Sequence, residues 1–233
     1  MLNSIFSAFK MNFTSLIVIK SMKGEKGMNF NDRATKWDDP QRVKRAQIIS
    51  EQIKKFTDIK VNCKALEFGC GTGLISFNLK DEFKSIDLVD TSEGMIEVLN
   101  SKIKENNIGN MRAFELDINK ENKLEYESYD IIYSSMVMHH VINLEETLKN
   151  LYSLIKKGGC LCIVDLDKDD GSFHAEEEGF NGHNGFNQEE FSSLLSQIGF
   201  DRIKSKTFYH GEKELTNRRV KYSLFIMLGA KSK

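Results

Sequence analysis

Proline is almost missing from this chain. Pro40 is the single one in 233 residues, and no stretch rich in Pro, Gly or Ser divides the sequence, so one sizeable domain is expected. A charge of one sign is missing too. Lys and Arg number 33 against 34 Asp and Glu, a formal net charge of -1, so there is no overall basic field for nucleic acid and a polyanion would need a local patch. Long apolar runs are absent: the nearest, residues 15–19, falls far short of the about 18–20 residues that a membrane span needs and is flanked by Lys10 and Lys20. That also makes the first residues a poor signal peptide. The four cysteines, Cys63, Cys70, Cys160 and Cys162, include no C-x-x-C pair. This removes the common zinc and redox spacings and fits a reducing, cytosolic setting.

What is present centres on Ala65-Leu66-Glu67-Phe68-Gly69-Cys70-Gly71-Thr72-Gly73-Leu74-Ile75, which reads as the end of a buried strand, a glycine turn and a helix start. Glycines at alternate positions let the backbone bend sharply and expose its N–H groups, with no side chain to hold a ligand off. The dinucleotide fingerprint G-x-G-x-x-G would need its third glycine where Leu74 stands, which disfavours a nicotinamide cofactor. Glu67 leads into the turn, where it would repel a phosphate and attract a ligand with an ammonium group. The pattern E-x-G-x-G-x-G closely resembles the first motif of class I S-adenosylmethionine-dependent methyltransferases.

Residues 1–27 have no helix or strand period, and the resemblance begins only near Phe30. They are expected to be an extension ahead of a native start near Met28, since residues 23–27 can be written wholly in purine codons, as a ribosome-binding sequence would be. A genuine flexible arm is the other reading. Pro40 then opens a helix with Val43, Ala46, Ile49, Ile53 and Phe56 on its apolar face. Trp37 ahead of it is either a packing anchor or, as the resemblance favours, part of a lid over the cofactor. Residues 74–80 should be helical, and residues 85–90 read as a second strand. Asp90 lies about twenty residues beyond the turn, where a nucleoside-binding α/β fold places a carboxylate on the ribose hydroxyls. Thr91 comes next, then Ser92 as the N-cap of a helix that buries Met95, Ile96, Leu99 and Ile103.

A third strand, residues 110–116, runs into Asp117 and Ile118. A fourth, residues 129–135, delivers His139 and His140 to the crevice beyond the strand ends. Residues 144–155 form an amphipathic helix, with Lys156 and Lys157 suited to its negative end and Gly158-Gly159 as its stop before a strand at 160–166. The long polar stretch 165–186, with His174 and His183, reads as an acceptor-side lid. Asp165, Asp167 and Asp169 lack the glycine and glutamate of a calcium loop, so they are read as solvated acids and no metal is expected. Asn187 caps a helix through Phe191, Leu194, Leu195 and Ile198, and residues 200–209 and 221–228 close as an antiparallel pair.

The resemblance implies a fold, a cofactor and a site. The fold is a doubly wound α/β, Rossmann-like domain over residues 28–233, with a seven-stranded, mostly parallel sheet of order 3-2-1-4-5-7-6, an antiparallel last strand and an N-terminal helical cap. The cofactor is S-adenosyl-L-methionine, held by Trp37, Glu67, Gly69, Cys70, Gly71, Asp90, Thr91, Met95, Asp117, Ile118 and Ser134. Within that set Asp117 takes the adenine amino group, and Ile118 and Met95 close on the ring. The acceptor implied is a small molecule, with neither nucleic acid nor membrane as partner. The Asn/Asp-Pro-Pro-aromatic signature of amino-methylating nucleic-acid enzymes and the Pro-Cys pair of cytosine C5 enzymes are both absent. Displacement at a sulfonium releases a neutral leaving group, so positioning, worth about 7–11 kcal/mol, outweighs a general base. His140, His174 and His183 are the candidates for base or acceptor-orienting group. The rival readings are an NAD-dependent oxidoreductase and a module that binds the nucleoside without transferring from it.

Overall fold

The computed structural model describes residues 30–58, 61–120 and 123–233, so the expectation for residues 1–27 lies outside the described part. In chain order the elements are α1 (Phe30–Arg33), a 3-10 turn (Ala34–Lys36), α2 (Pro40–Phe56), β1 (Lys64–Phe68), α3 (Leu74–Leu79), β2 (Ser85–Asp90), α4 (Glu93–Glu105) and β3 (Met111–Glu115). Next come β4 (Tyr129–Ser135), α5 (Leu144–Leu154), β5 (Ile155–Leu166), α6 (Gln188–Ile198), β6 (Phe200–Glu214) and β7 (Arg219–Lys231). The strands form one sheet of order β3-β2-β1-β4-β5-β7-β6, parallel except for β7, which runs antiparallel to both β5 and β6. This is the expected order and the expected exception.

Alternation along the strands sends side chains to opposite faces. Ala65, Ile86, Leu88, Ile131 and Tyr133 join Ile49 and Ile53 of α2, Ile75 and Leu79 of α3 and Leu99 of α4 in one core. Leu66, Val89, Ile132, Leu161 and Ile163 join Leu148, Leu151 and Leu154 of α5 and Phe191 and Leu195 of α6 in the other. A sheet covered on both faces explains why its central strands read as near-continuous apolar runs.

Helix starts match the sequence closely. Asp39 Oδ1 accepts from the N–H groups of Gln41 and Arg42 at 2.9 Å, with Pro40 as the first helical residue of α2. Ser92 Oγ accepts from Met95 N at the start of α4, and Asn187 Oδ1 accepts from Glu189 N and Glu190 N at the start of α6.

The end of α5 differs. The helix stops at Leu154 and β5 begins at Ile155 without a loop, so Gly158-Gly159 lie inside the strand and do not terminate the helix. There Tyr129 pairs with Ile155 and Ile131 with Cys160, which sets residues 156–159 against Asp130 alone. A side chain on Gly159 would come 2.8 Å from the Asp130 carbonyl oxygen, so the bulge needs glycine. Lys156 turns to the Asp130 carboxylate at 2.9 Å, and the cation at the helix end is instead Lys231 of β7, which donates to the Tyr152 and Ile155 carbonyls at 3.1 and 2.9 Å.

Asp87, buried in β2, accepts from Arg112 Nη2 at 2.8 Å and from Tyr129 Oη at 2.8 Å, with Lys64 Nζ at 3.3 Å. Asp87→Ala leaves the buried Tyr129 hydroxyl without its acceptor, so it should cost about 1.5–3 kcal/mol of stability in urea titrations. An unchanged midpoint would remove Asp87 from the interactions that hold β2 to β3 and β4.

Candidate functional site

A cavity of about 550 Å³, within the range of small-molecule sites, opens at the carboxyl ends of the parallel strands. Its floor is the glycine turn. Gly69 (φ +72) and Gly71 (φ +50) take left-handed backbone, and the N–H groups of Gly69 and Cys70 both donate to Val89 O, at 2.8 and 3.0 Å. A side chain on Gly69 would overlap Val137. One on Gly71 would meet Trp37 Nε1 only at 3.7 Å and Met95 Sδ at 4.0 Å, so it would project into the cavity.

Asp90 ends β2 at the cavity wall. Its Oδ2 accepts from Gly71 N at 2.8 Å and its Oδ1 from Ser92 N at 2.9 Å. Burial raises its proton affinity, and the Ser92 and Gly71 N–H groups partly offset that. Glu67 lies deeper, 2% exposed, with the Ser76 hydroxyl donating to its Oε2 and Tyr133 Oη 2.6 Å from Ser76 Oγ. Burial pushes the Glu67 carboxyl up to about 8, which favours its neutral form at neutral pH and weakens the attraction for a cation expected from the sequence. Asp117 also faces the cavity. Burial pulls its carboxyl upward, but Lys120 at 3.1 Å and the Asn119 N–H outweigh it and hold the carboxyl below its usual range.

The cap is α1 with the turn after it. Phe30 meets Trp37 edge-on at 5.7 Å and His140 at 5.4 Å, and the Arg42 guanidinium lies 4.2 Å above the Trp37 ring. Two clamps fix it to the fold. Asn31 Oδ1 accepts from Ser92 Oγ at 2.5 Å and from Gly94 N at 3.1 Å, and Asp38 takes the Thr72 hydroxyl together with Lys102 Nζ at 2.7 Å.

At the far wall, Met136 follows β4 with φ +59, a conformation that a bulky residue holds only when its surroundings impose it. This kink carries Val137 over Gly69 and His140 into the cavity wall. Burial, reinforced by His139 alongside, pushes His140 down to about 3, so the ring is neutral.

Of the residues expected in the site, Trp37, Glu67, Gly69, Cys70, Gly71, Asp90, Thr91, Met95, Asp117, Ile118 and His140 line the cavity. Ser134 does not: it is buried with Oγ donating to the Phe68 carbonyl at 2.9 Å, and its neighbour Ser135 takes the wall position. His183 is a loop staple, its N donating to His139 O at 2.7 Å and its Nε2 to Val141 O at 2.9 Å. His174 is buried behind His140 and stacked on Phe180 with centroids 3.7 Å apart. The acids read as solvated are bound. Asp165 is fully buried against His139 Nδ1 at 2.5 Å, Asp167 accepts from Gln188, Thr207 and Ser223, and Asp169 accepts from Gly171 N and Phe173 N. Arg42 and Arg45 line the cavity without having been singled out, although they share the three- and four-residue spacing that puts Ala46 and Ile49 on the inner face of α2.

Residues 66–161 match a sequence family described as a methyltransferase domain. An uncharacterized methyltransferase of Schizosaccharomyces pombe is 28% identical over 218 residues, which cover 73% of this chain and 76% of that one. A hybrid polyketide–nonribosomal peptide synthetase of a Neonectria species is 31% identical over 128 residues, 52% of this chain but only 3% of that far longer protein. Among solved structures, an S-adenosylmethionine-dependent methyltransferase of Thermotoga maritima, described as a possible histamine N-methyltransferase, superposes with a TM-score of 0.66 at 22% identity, covering 87% of this chain and 98% of that one.

The floor of the cavity has two measurable consequences. Gly69→Ala should lower the melting temperature further than Gly71→Ala, and adding Val137→Ala, which removes the two overlapping methyl carbons but leaves Cβ at 2.9 Å, should recover part of that extra loss; a gap untouched by the second substitution would mean that those methyl groups are not the cause. For Glu67, the folded chain keeps a proton that the unfolded chain releases near 4.5, so its contribution to stability is complete below that pH and is lost as pH rises towards about 8. Denaturant midpoints between pH 5 and 8 should therefore fall more steeply in the wild type than in Glu67→Gln, by at most about 1.4 kcal/mol per pH unit. Parallel pH profiles would show that Glu67 titrates normally.

Proposed function

We propose that this class I S-adenosylmethionine-dependent methyltransferase transfers its methyl group in line to a small-molecule acceptor, with the cofactor along the glycine turn and the acceptor beside His140. The observation that carries this reading is the Gly71–Asp90 contact at the cavity wall, where a side chain on Gly71 would stand in the cavity and Asp90 presents a fixed carboxylate. S-adenosylmethionine supplies an electrophilic methyl group on a sulfonium and leaves as a neutral thioether.

The chain's own residues then have limited tasks. Asp90 accepts from the ribose hydroxyls, and Asp117 from the adenine amino group, with Ile118 and Met95 against the ring. Glu67 meets the cationic methionine end, beside Gly69 and Cys70, and Trp37 closes the cavity from the cap. Excluding water and holding the reacting atoms in line provide most of the acceleration. His140 is too weak a base to hold a proton at neutral pH, so its role is to orient the acceptor as a neutral hydrogen-bonding group. Arg45, which donates to Tyr222 Oη at 3.1 Å from the cavity wall, gives the acceptor end a positive charge. A small acceptor that carries an anionic group fits that wall, and the synthetase relative supports a small molecule over a macromolecule.

Release of S-adenosylhomocysteine across a panel of small carboxylic acids, phenols and amines tests the activity, and no release from any of them would count against transfer to this acceptor class. Binding tests the site separately. Asp90→Ala should weaken S-adenosylmethionine by tenfold or more in calorimetry, because each charged hydrogen bond is worth about 1.5–3 kcal/mol. An affinity equal to wild type would place the ribose elsewhere.

A further inference from the structure

Behind the cavity wall, three imidazoles from two distant parts of the chain meet. His139 and His140 come just after β4, and His174 closes the 3-10 turn Ser172–His174 after β5. Ring centroids are 4.1 Å apart for His139 and His140, 5.1 Å for His139 and His174, and 5.7 Å for His140 and His174. Each ring can offer a nitrogen such that all three lie within 4.8 Å of one another.

The polar accounting around them is incomplete. His174 is 4% exposed, yet neither ring nitrogen has a hydrogen-bond partner among the described residues, and the same holds for Glu177 Oε2, 3.9 Å from His174 Nε2. Buried polar atoms are rarely left unpaired, and a cluster of them at one spot marks a place where ring nitrogens and a carboxylate oxygen have lone pairs to offer a ligand. His139, by contrast, is already oriented. Its Nδ1 lies 2.5 Å from Asp165 Oδ1, which also accepts from Leu166 N at 2.7 Å, so the proton belongs on Nδ1 and the lone pair on Nε2. A carboxylate behind an imidazole is the arrangement that supports metal-binding histidines.

We propose that His139, His140 and His174 bind a divalent transition-metal ion of the zinc class, with Asp165 orienting His139 and the Glu177 carboxylate beside His174. Three neutral imidazoles select borderline ions such as zinc over magnesium or calcium, and three protein ligands leave one position open. Metal–nitrogen distances of about 2.0–2.1 Å require the rings to draw in on the ion. Because His140 lines the cavity, an ion held there would lie next to the acceptor end, where it could polarise an acceptor oxygen. That role rests on the methyltransferase reading; binding of the ion does not.

The test is a titration of the chelator-stripped full chain with cobalt(II), monitored by its visible absorption and by displacement with zinc(II). One equivalent should bind, giving the intense bands of low-coordinate cobalt. His174→Ala and His140→Gln should each weaken binding about 100-fold or more, while His210→Ala, on β6, should leave it unchanged. Circular dichroism and S-adenosylmethionine calorimetry on the same samples separate loss of the ion from loss of the fold. No uptake by the wild type, or uptake that survives both substitutions in folded protein, overturns the site. Absent metal with cofactor binding intact overturns this inference alone. Metal uptake without cofactor binding supports it and counts against the proposed transfer.

Discussion

Both oxygens of the Asp90 carboxylate are engaged by backbone, Oδ2 by Gly71 N at 2.8 Å and Oδ1 by Ser92 N at 2.9 Å. One side chain at the end of β2 thereby fixes the turn after β1 and the entry to α4, and the shape of the cavity floor depends on it. The two N–H groups also make a half-buried charge tolerable, since burial alone raises its proton affinity. Gly69 and Cys70 add their bonds to Val89 O one residue earlier, so the whole turn hangs on the end of one neighbouring strand.

The cap depends on the same joint. Ser92 takes part in the Asn31 clamp and Thr72 in the Asp38 clamp, and both lie within two residues of the Asp90–Gly71 contact. Trp37 is thus held over the turn by contacts that the turn itself positions. Met136 performs the corresponding task on the opposite wall, where its left-handed backbone carries Val137 and His140 to their places. A cavity assembled this way has a rigid floor and a wall of small, separately anchored pieces.

The sheet order and its antiparallel strand were implied by the resemblance, whereas the helix starts and the glycine turn were legible because each rests on local patterning: a serine or asparagine before a helix, proline at its first turn, glycine at a sharp bend. The floor of the cavity was legible for the same reason, since its residues are consecutive. What escaped lies in pairings between distant segments. Asp165 and His139 are separated by 26 positions, and no periodicity says that an acid in a D-x-D-x-D run will be withdrawn from solvent to meet an imidazole. Lys231 caps a helix that ends 77 positions before it, which made Lys156 and Lys157 look like the natural choice. Ser134 and Ser135 differ only in which face of a strand end they occupy, and the kink at Met136 sets the course of the chain beyond them.

The sheet has two edge strands, β3 and β6, and the rim along β6 is irregular. It runs from Phe200 to Glu214 with register shifts at Asp201/Lys204 and Thr207/Tyr209, and it holds Arg202 at φ +47. Lys204 and Lys206 lean back over the Phe56 ring, at 4.6 and 5.4 Å from its centre. A bent, lysine-bearing margin is a poor template for a strand from another molecule, because the incoming backbone cannot keep register and must approach fixed positive charge. The β6 edge is therefore poorly suited to growth into fibrils, a hazard that a flat and apolar strand of the same length would carry.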